Sequence, residues 1–380
     1  SFINVIMEHQ FHLLNFTLNR ELSEIYLSII IRTLALSMVG IFIPLYLLIE
    51  IGFPLKIVLL YFIVEYIFTT LFFPFTAKIS SKIGFKHSIL LSIPILMISI
   101  ALFYFLKNYN HIWFLSVIAI VIAFGQALFW LAFHEDFAKF SDKKHRGEEV
   151  SIWFSSSVLI SLIGPFLGSL IIISLGFNIL FIIVSILMLG SAIPLFFSGE
   201  VYEPYKFSFK HVFNKSHFKD MLAFIGFGAR NSGINVIWPI FIFLILNQYL
   251  SIGLVFSVAG FFVAIFTFLS GKLADLVNKM ILIRISSIIE LVIWIFKAFV
   301  TNFWQIFILT ILGSIFFRTT DVPFTARTYD KANKGNRVEY LIFRESSINI
   351  GRILVLLIAM ISLKIGILST ALGILLHIFF

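Results

Sequence analysis

Along the chain, apolar runs of about twenty residues alternate with short segments carrying charge, Pro or Gly. Windows bounded by those breaks predict twelve helical spans, at approximately 26–49, 55–77, 88–106, 112–134, 150–173, 177–197, 221–246, 251–271, 281–300, 303–322, 338–362 and 365–380. Each comes near the roughly 20 residues that a helix needs to cross a bilayer core. The runs are too long and too uniformly apolar for a membrane β-barrel, whose strands alternate over about ten residues. Residues 2–18 mix Phe, Ile, Leu and Val with Asn, Glu and His. That stretch is too polar to span and predicts an amphipathic helix lying in the interface, within an N-terminal segment 1–24. A secretory signal does not fit, because the first basic residue is Arg20. Ser1 in place of an initiator Met, and a last residue inside an apolar run, lead us to expect trimmed ends.

Composition agrees with the pattern. Hydrophobic residues make up 60% of the chain and charged residues 12%, against about 25% charged in soluble domains. The net charge of +9 does not point to nucleic acid, because the basic residues are dispersed among the breaks between spans. With the N-terminus inside, 18 Lys and Arg fall on the cytoplasmic side, three (Lys56, Lys107, Lys364) on the opposite side and seven within spans. The positive-inside rule then places both termini in the cytoplasm and the protein in the cytoplasmic (inner or plasma) membrane. Cys is absent, which excludes disulfides, thiolate metal sites and cysteine nucleophiles.

The longest polar stretch, 198–220, holds Pro204 and four lysines, and divides the spans six and six. The expected organisation is an N-terminal six-helix bundle at 25–197, a cytoplasmic linker at 198–220 and a C-terminal bundle at 221–380. The halves resemble each other. The run from Ala77 through Lys78, Ile79, Ser80, Ser81, Lys82 and Ile83 to Gly84 aligns with the run from Gly271 through Lys272, Leu273, Ala274 and Asp275 to Asn278, and Ala138-Lys139 aligns with Ala326-Arg327. Paired repeats of this kind place a substrate site between the two bundles at mid-depth.

These residues resemble the major facilitator superfamily over essentially the whole chain. The family motif after the second helix, G-x-L-A-D-R-x-G-R-K, is approximated by Ala77, Ile79, Ser80, Gly84, Lys86 and His87, with Ser81 in place of the aspartate. The second copy keeps Gly271, Leu273, Ala274 and Asp275. The resemblance implies a gate in which Asp275 faces the start of the fifth span near Val150 and pairs with Arg327. A carboxylate favours a helix N-terminus and a charged partner at low dielectric. Gly164-Pro165-Phe166-Leu167-Gly168 resembles part of the family's antiporter motif, with Ile160 and Ser169 departing from it. A kinked, tightly packed helix accounts for those residues equally well. The fourth span lacks the arginine that many proton-coupled members carry.

Ionisable residues inside a span cost roughly 2.5–3.5 kcal/mol on insertion scales, so each needs a partner or a function. At the 1.5 Å rise per residue, Glu65 and Arg352 lie at similar depths, roughly 18 and 21 Å from the cytoplasmic side. The resemblance places their helices in contact, and a Glu65–Arg352 pair is expected. Arg32, Arg344 and Glu345 form a candidate charge cluster nearer the cytoplasm. Gln126 and Trp130, with His134 one further turn on, Asn231 and Asn235, and Arg318 and Asp321 each share a helix face. With Arg230 they are the proposed substrate lining, on the four spans that face the cavity in the resembled family. Glu290 and Lys297, seven apart on the ninth span, are expected to satisfy each other or the tenth span rather than touch substrate. His134-Glu135-Asp136 cannot converge on one metal ion, since consecutive helical side chains diverge by about 100°, and reads as a helix end-cap.

The sequence therefore predicts an all-α polytopic membrane protein of two six-helix bundles working as an alternating-access secondary transporter. It is expected to be a monomer in contact with lipid, with a small-molecule substrate, a proton or other coupling ion, and no cofactor, metal or nucleic acid. No Walker string and no nucleophile–base constellation occurs, which argues against ATP as direct energy source and against an enzyme. The leading function is export of a small amphipathic or organic solute in exchange for protons, with Glu65, Asp321 and Glu345 as candidate proton carriers. One alternative is symport of an anionic nutrient, for which a strongly positive cavity would argue. The other is a non-transporting scaffold or sensor, for which a collapsed cavity would argue.

Overall fold

A computed structural model describes residues 20–109, 111–140, 162–196 and 217–380, and the described residues are helical with short connections. The predicted interfacial helix at 2–18, most of the linker and the start of the fifth span lie outside them. Helix α1 runs Arg20–Val39 and continues through a 3-10 turn, Gly40–Phe42, a helical turn, Ile43–Leu45, and a π turn, Tyr46–Glu50. It is followed by α2 (Leu55–Ile83), α3 (Phe85–Leu106), α4 (Ile112–Phe140) and α5 (Gly164–Gly190). The second half holds α6 (Phe218–Leu246, with a π turn at Gly233–Ile237), α7 (Tyr249–Leu276), α8 (Lys279–Lys297), α9 (Phe303–Ala332), α10 (Arg337–Ala359) and α11 (Leu363–Leu375, extended by a 3-10 turn, Leu376–Phe379).

The twelve predicted windows thus appear as eleven rods among the described residues. The fifth and sixth windows share α5, which is broken at Gly176 (φ 82°, ψ 171°). A side chain would strain that conformation, and glycine takes it freely. Eight of the rods are long and apolar enough to cross a membrane. Large apolar side chains such as Phe75, Trp113, Phe196, Trp304 and Leu372 project from them without cover. A continuous exposed apolar surface of this kind is stable against hydrocarbon and not against water. The protein is an integral membrane protein. Helices α8 and α10 carry too many charges to qualify by composition, yet Glu290 and Lys297 of α8 are buried. Every residue from Val338 to Asn349 of α10 is buried, including Glu339, Arg344 and Glu345.

Helices α1–α5 pack mainly among themselves, as do α6–α11, and the two groups meet chiefly along α2–α10 and α5–α7. Lipid supplies no hydrophobic drive between helices, so close van der Waals approach must hold them. Gly228 and Gly351 provide it reciprocally between α6 and α10: a Cβ on Gly228 would fall on the Ile348 carbonyl, and one on Gly351 on the Ile225 carbonyl. On α5, Cβ atoms at Gly164 and Gly168 would collide with Ser37 and the Met38 carbonyl of α1. Pro165 sits in the first described turn of α5, where its missing N–H costs no helical hydrogen bond. Three asparagines start α8, α9 and α10: Asn278, Asn302 and Asn336 accept from the amides of Met280 (2.9 Å), Gln305 (3.1 Å) and Glu339 (3.4 Å).

Candidate functional site

A cavity of about 310 Å³ lies between the helix groups. Its wall is built from stripes of residues four apart, one turn of helix each: Ile29 and Thr33 on α1, Trp130 and His134 on α4, Phe227, Asn231 and Asn235 on α6, Phe317, Asp321 and Thr325 on α9, and Arg344, Ile348 and Arg352 on α10. Trp130, Asn231, Asn235, Arg318 and Asp321, predicted as lining, are at the wall, as are Arg344, Glu345 and Arg352. Two predicted lining residues stand behind it. Gln126 accepts a hydrogen bond from Nη2 of Arg32 at 3.3 Å, and Arg230 is fully buried within α6–α11.

Arg32 is the cation that α1–α5 present to the cavity. Its guanidinium lies over the Phe129 ring, 3.4 Å from the centroid, and 5.8 Å from that of Trp130. Among the described residues no carboxylate lies within 4 Å of it, and its buried Nε has no hydrogen-bond partner. Stacking on an aromatic face holds the side chain without neutralising it.

The charges of α6–α11 are interlocked instead. Arg230 Nη1 meets Glu290 Oε2 at 3.1 Å, Arg230 Nη2 lies 3.9 Å from Asp321 Oδ1, and Asp321 Oδ2 accepts from Arg318 at 2.9 Å. The i,i+3 pair Arg318–Asp321 was predicted. The partner of Glu290 was expected to be Lys297 or the tenth span, but it is Arg230 of α6, and no Glu290 oxygen lies within 4 Å of the Lys297 ammonium, because seven residues of helix separate the two by roughly 10 Å.

A second knot sits at the end where the basic connections cluster. Arg344 pairs with Glu345 and meets His134 Nε2 at 3.1 Å, while His134 Nδ1 lies 2.6 Å from the Tyr329 hydroxyl. His134 is buried, with its ring stacked on Trp130. The end-cap reading of His134 is therefore corrected: α4 runs on to Phe140, and this turn faces α9 and α10 rather than solvent.

Helices α2 and α10 touch as expected, yet the Glu65–Arg352 contact is indirect. Arg352 Nη1 donates to Asn349 Oδ1 at 3.0 Å, one turn away on its own helix, and Asn349 Nδ2 donates to Thr70 Oγ1 at 3.0 Å. Glu65, half-buried, stays within electrostatic reach of Arg352, but no Arg352 nitrogen comes within 4 Å of its oxygens. Phe129, Phe133, Phe227, Phe317, Thr33 and Thr325 were not predicted as lining. Their four-residue spacing from Asn231, Asp321 and one another was the available signal.

Residues 25–220 match the sequence family described as the Major Facilitator Superfamily. The chain belongs to that superfamily. No curated protein sequence matches it. By fold it is similar to the human organic anion transporter MFSD10 (TETRAN), with a TM-score of 0.71 at 12% identity over 95% of this chain and 98% of that one. It is also similar to the Escherichia coli fucose:proton symporter FucP, with a TM-score of 0.70 at 14% identity over 94% and 97% of the two chains. A structure of FucP in the outward conformation gives 0.68 at 12% identity, over 94% and 96%. At such identities the likeness speaks for the fold.

In this superfamily member the gate residues inferred from the motifs are placed unevenly. Gly84 makes the turn between α2 and α3 at φ 90°. Gly271 lies on α7, and the side chain of Asp275 and the segment around Val150 lie outside the described residues. Arg327 donates from Nε and Nη2 to the Phe380 carbonyl at 3.3 and 3.2 Å. Contacts join the two helix groups at both ends. At the basic end, Arg337 Nε meets Glu135 Oε1 at 2.8 Å and Asn333 Nδ2 donates to the Ala138 carbonyl at 2.9 Å, both across the two helix groups. At the opposite end, Tyr249 packs edge-on against Phe42 and Phe177 and its hydroxyl donates to Glu50 Oε1 at 3.4 Å.

Proposed function

We propose that the protein is an alternating-access secondary transporter whose cargo is a small organic anion. The observation that carries this reading is the charge of the cavity wall, where the described residues place Arg32, Arg318, Arg344 and Arg352 beside Asp321 and Glu345. A lipophilic cation would meet that excess of positive charge unfavourably, so the lining favours the anionic reading over export of a cationic amphiphile. The aromatic part of the wall, Phe129, Trp130, Phe133, Phe227 and Phe317, suits an organic body, and Asn231 and Asn235 supply orienting hydrogen bonds. An open cavity with connected polar groups also favours transport over the scaffold reading. The organic-anion cargo named for the similar-fold MFSD10 accords with this assignment, which rests on the residues of this chain.

Proton symport fits an anionic cargo better than exchange does. An anion entering a negative-inside cell works against about 2.3 kcal/mol per charge per 100 mV, and a proton carried with it cancels that cost. Glu65, half-buried and within reach of Arg352 across the α2–α10 seam, is our candidate proton carrier, with Asp321 and Glu345 as alternatives. Proteoliposomes containing a pH dye, offered panels of organic anions and lipophilic cations under an imposed pH gradient, test the reading. Anion-dependent proton movement that is lost in Arg32→Gln and uncoupled in Glu65→Gln is expected. Proton movement driven by cations, or anion movement indifferent to Arg32, would overturn it.

A further inference from the structure

Inside the group α6–α11 a second, smaller cavity of about 150 Å³ opens against Lys297, in the last turn of α8. Lys297 is 97% buried, at 3% exposure. Its Nζ lies 4.2 Å from the ring centroid of Trp294 and 4.8 Å from that of Trp238. Among the described residues no carboxylate lies within 4 Å of it and no hydrogen-bond acceptor meets it. The nearest acid on its own helix, Glu290, is taken by Arg230 at 3.1 Å. Gly313 of α9 leaves the space that the ammonium occupies, since a Cβ there would lie 3.0 Å from Nζ. Lys297 Nζ faces the cavity beside the Arg318 guanidinium, which Asp321 meets at 2.9 Å.

From this arrangement we infer that α6–α11 hold a second anion subsite, at Lys297, which takes the carboxylate of a small organic acid and lays its apolar body against Trp238, Trp294 and Phe256. A buried ammonium costs several kcal/mol unless it is paired, and two indole faces recover only part of that. The remaining walls favour an organic anion over a hydrated inorganic one. Ile234, Phe256, Ala259 and Val263 offer no donors, the Thr310 hydroxyl is already committed to the Ile306 carbonyl and to Trp238 Nε1, and the other polar wall groups are the Ser314 hydroxyl and Arg318, which Asp321 meets. A volume of this size is enough for a benzene-sized body. Phe317 and Arg318 line both cavities, so the subsite sits one side chain away from the central one. As a station for cargo it rests on the transport reading above, whereas its binding chemistry stands by itself.

Tryptophan quenching tests the inference, with 4-bromobenzoate titrated into the whole protein in nanodiscs. Trp130 reports the central cavity, and Trp238 and Trp294 report the smaller one. Two saturable components are expected. Lys297→Met and Trp294→Phe should each remove the same component or weaken it at least tenfold, Lys297→Arg should retain it, and Arg32→Gln should remove only the other. Gly313→Ala, which fills the space beside Nζ while keeping the charge, should weaken the Lys297 component and covers the case in which Lys297→Met fails to fold. The inference is overturned if both components survive in folded Lys297→Met or Gly313→Ala protein, or if chloride at equal concentration displaces the Lys297-dependent component. Loss of the Arg32 component alone from wild-type protein would count against the transport reading and leave the subsite standing.

Discussion

The two halves of the molecule bring charge to the same cavity in opposite ways. Helices α1–α5 offer Arg32 on an aromatic platform with no carboxylate of the described residues within 4 Å, whereas α6–α11 bury a chain of alternating charge, Glu290–Arg230–Asp321–Arg318. In low dielectric a paired charge is part of the scaffold, because removing its partner strands it, while an unpaired one held by stacking is available to a ligand. The comparison predicts that the same kind of substitution will damage folding in one half and binding in the other.

The largest effect belongs to the interlocked half. Glu290→Leu leaves Arg230 buried with only a distant carboxylate and should cost about 3–5 kcal/mol, while Arg230→Met combined with Glu290→Leu should recover most of the loss. Thermal unfolding in detergent reads both, and a double variant no more stable than the single would break the contrast. Arg32→Gln removes a cation that no carboxylate among the described residues meets, so the melting temperature should hardly move. Binding of an organic anion should weaken by about 10- to 100-fold, equivalent to roughly 1.4–2.8 kcal/mol. Equal loss of stability in Arg32→Gln and Glu290→Leu would show that the two halves handle charge alike.

The same division explains what could be read from the sequence. Local pairs were legible: Arg318 and Asp321 are one turn apart and bond as their spacing implies, and Asn231 and Asn235 share the face that reaches the cavity. Span positions followed from apolar length, and α8 and α10 were recognisable although their charges disqualify them by composition alone. Pairings between distant segments were not legible. His134 ends an apolar run and so resembles a solvated cap, but its partners Tyr329 and Arg344 lie 195 and 210 residues away. Glu290 was expected to meet Lys297 on its own helix or the tenth span, when the residue that reaches it comes from α6. Depth arithmetic brought Glu65 and Arg352 to one level, but the local Asn349 captured the guanidinium first.

A smaller effect tests whether α10, the most interior helix, depends on its own start. Asn336 caps α10 through the Glu339 amide at 3.4 Å, and Asn336→Ala should cost about 1 kcal/mol. The loss should appear as faster hydrogen exchange in the first turns of α10 and not in α8, whose cap at Asn278 is separate.

The smallest effect concerns the contact that joins the halves at the basic end. Arg337 meets Glu135 across the two groups with its side chain 29% exposed, whereas Lys279 meets Asp330 at 2.9 Å entirely within α6–α11. Partly exposed bridges contribute at most about 0.2–1 kcal/mol, so neither loss should unfold the protein. Only the first bridge has to break for the halves to separate, and a bias of that size corresponds to about a 1.4- to 5-fold shift in the open population. The natural absence of cysteine gives a silent background for measuring it. With Thr33→Cys as reporter in the cavity wall, Arg337→Gln should raise the rate of modification by an impermeant thiol reagent applied from the basic end by that factor, and Lys279→Gln should leave it unchanged. An equal rise in both would mean that local loosening, not separation of the halves, controls entry. No rise in either would place the rate-limiting closure in Asn333, His134 and Tyr329, which also tie α4 to α9 across the same seam.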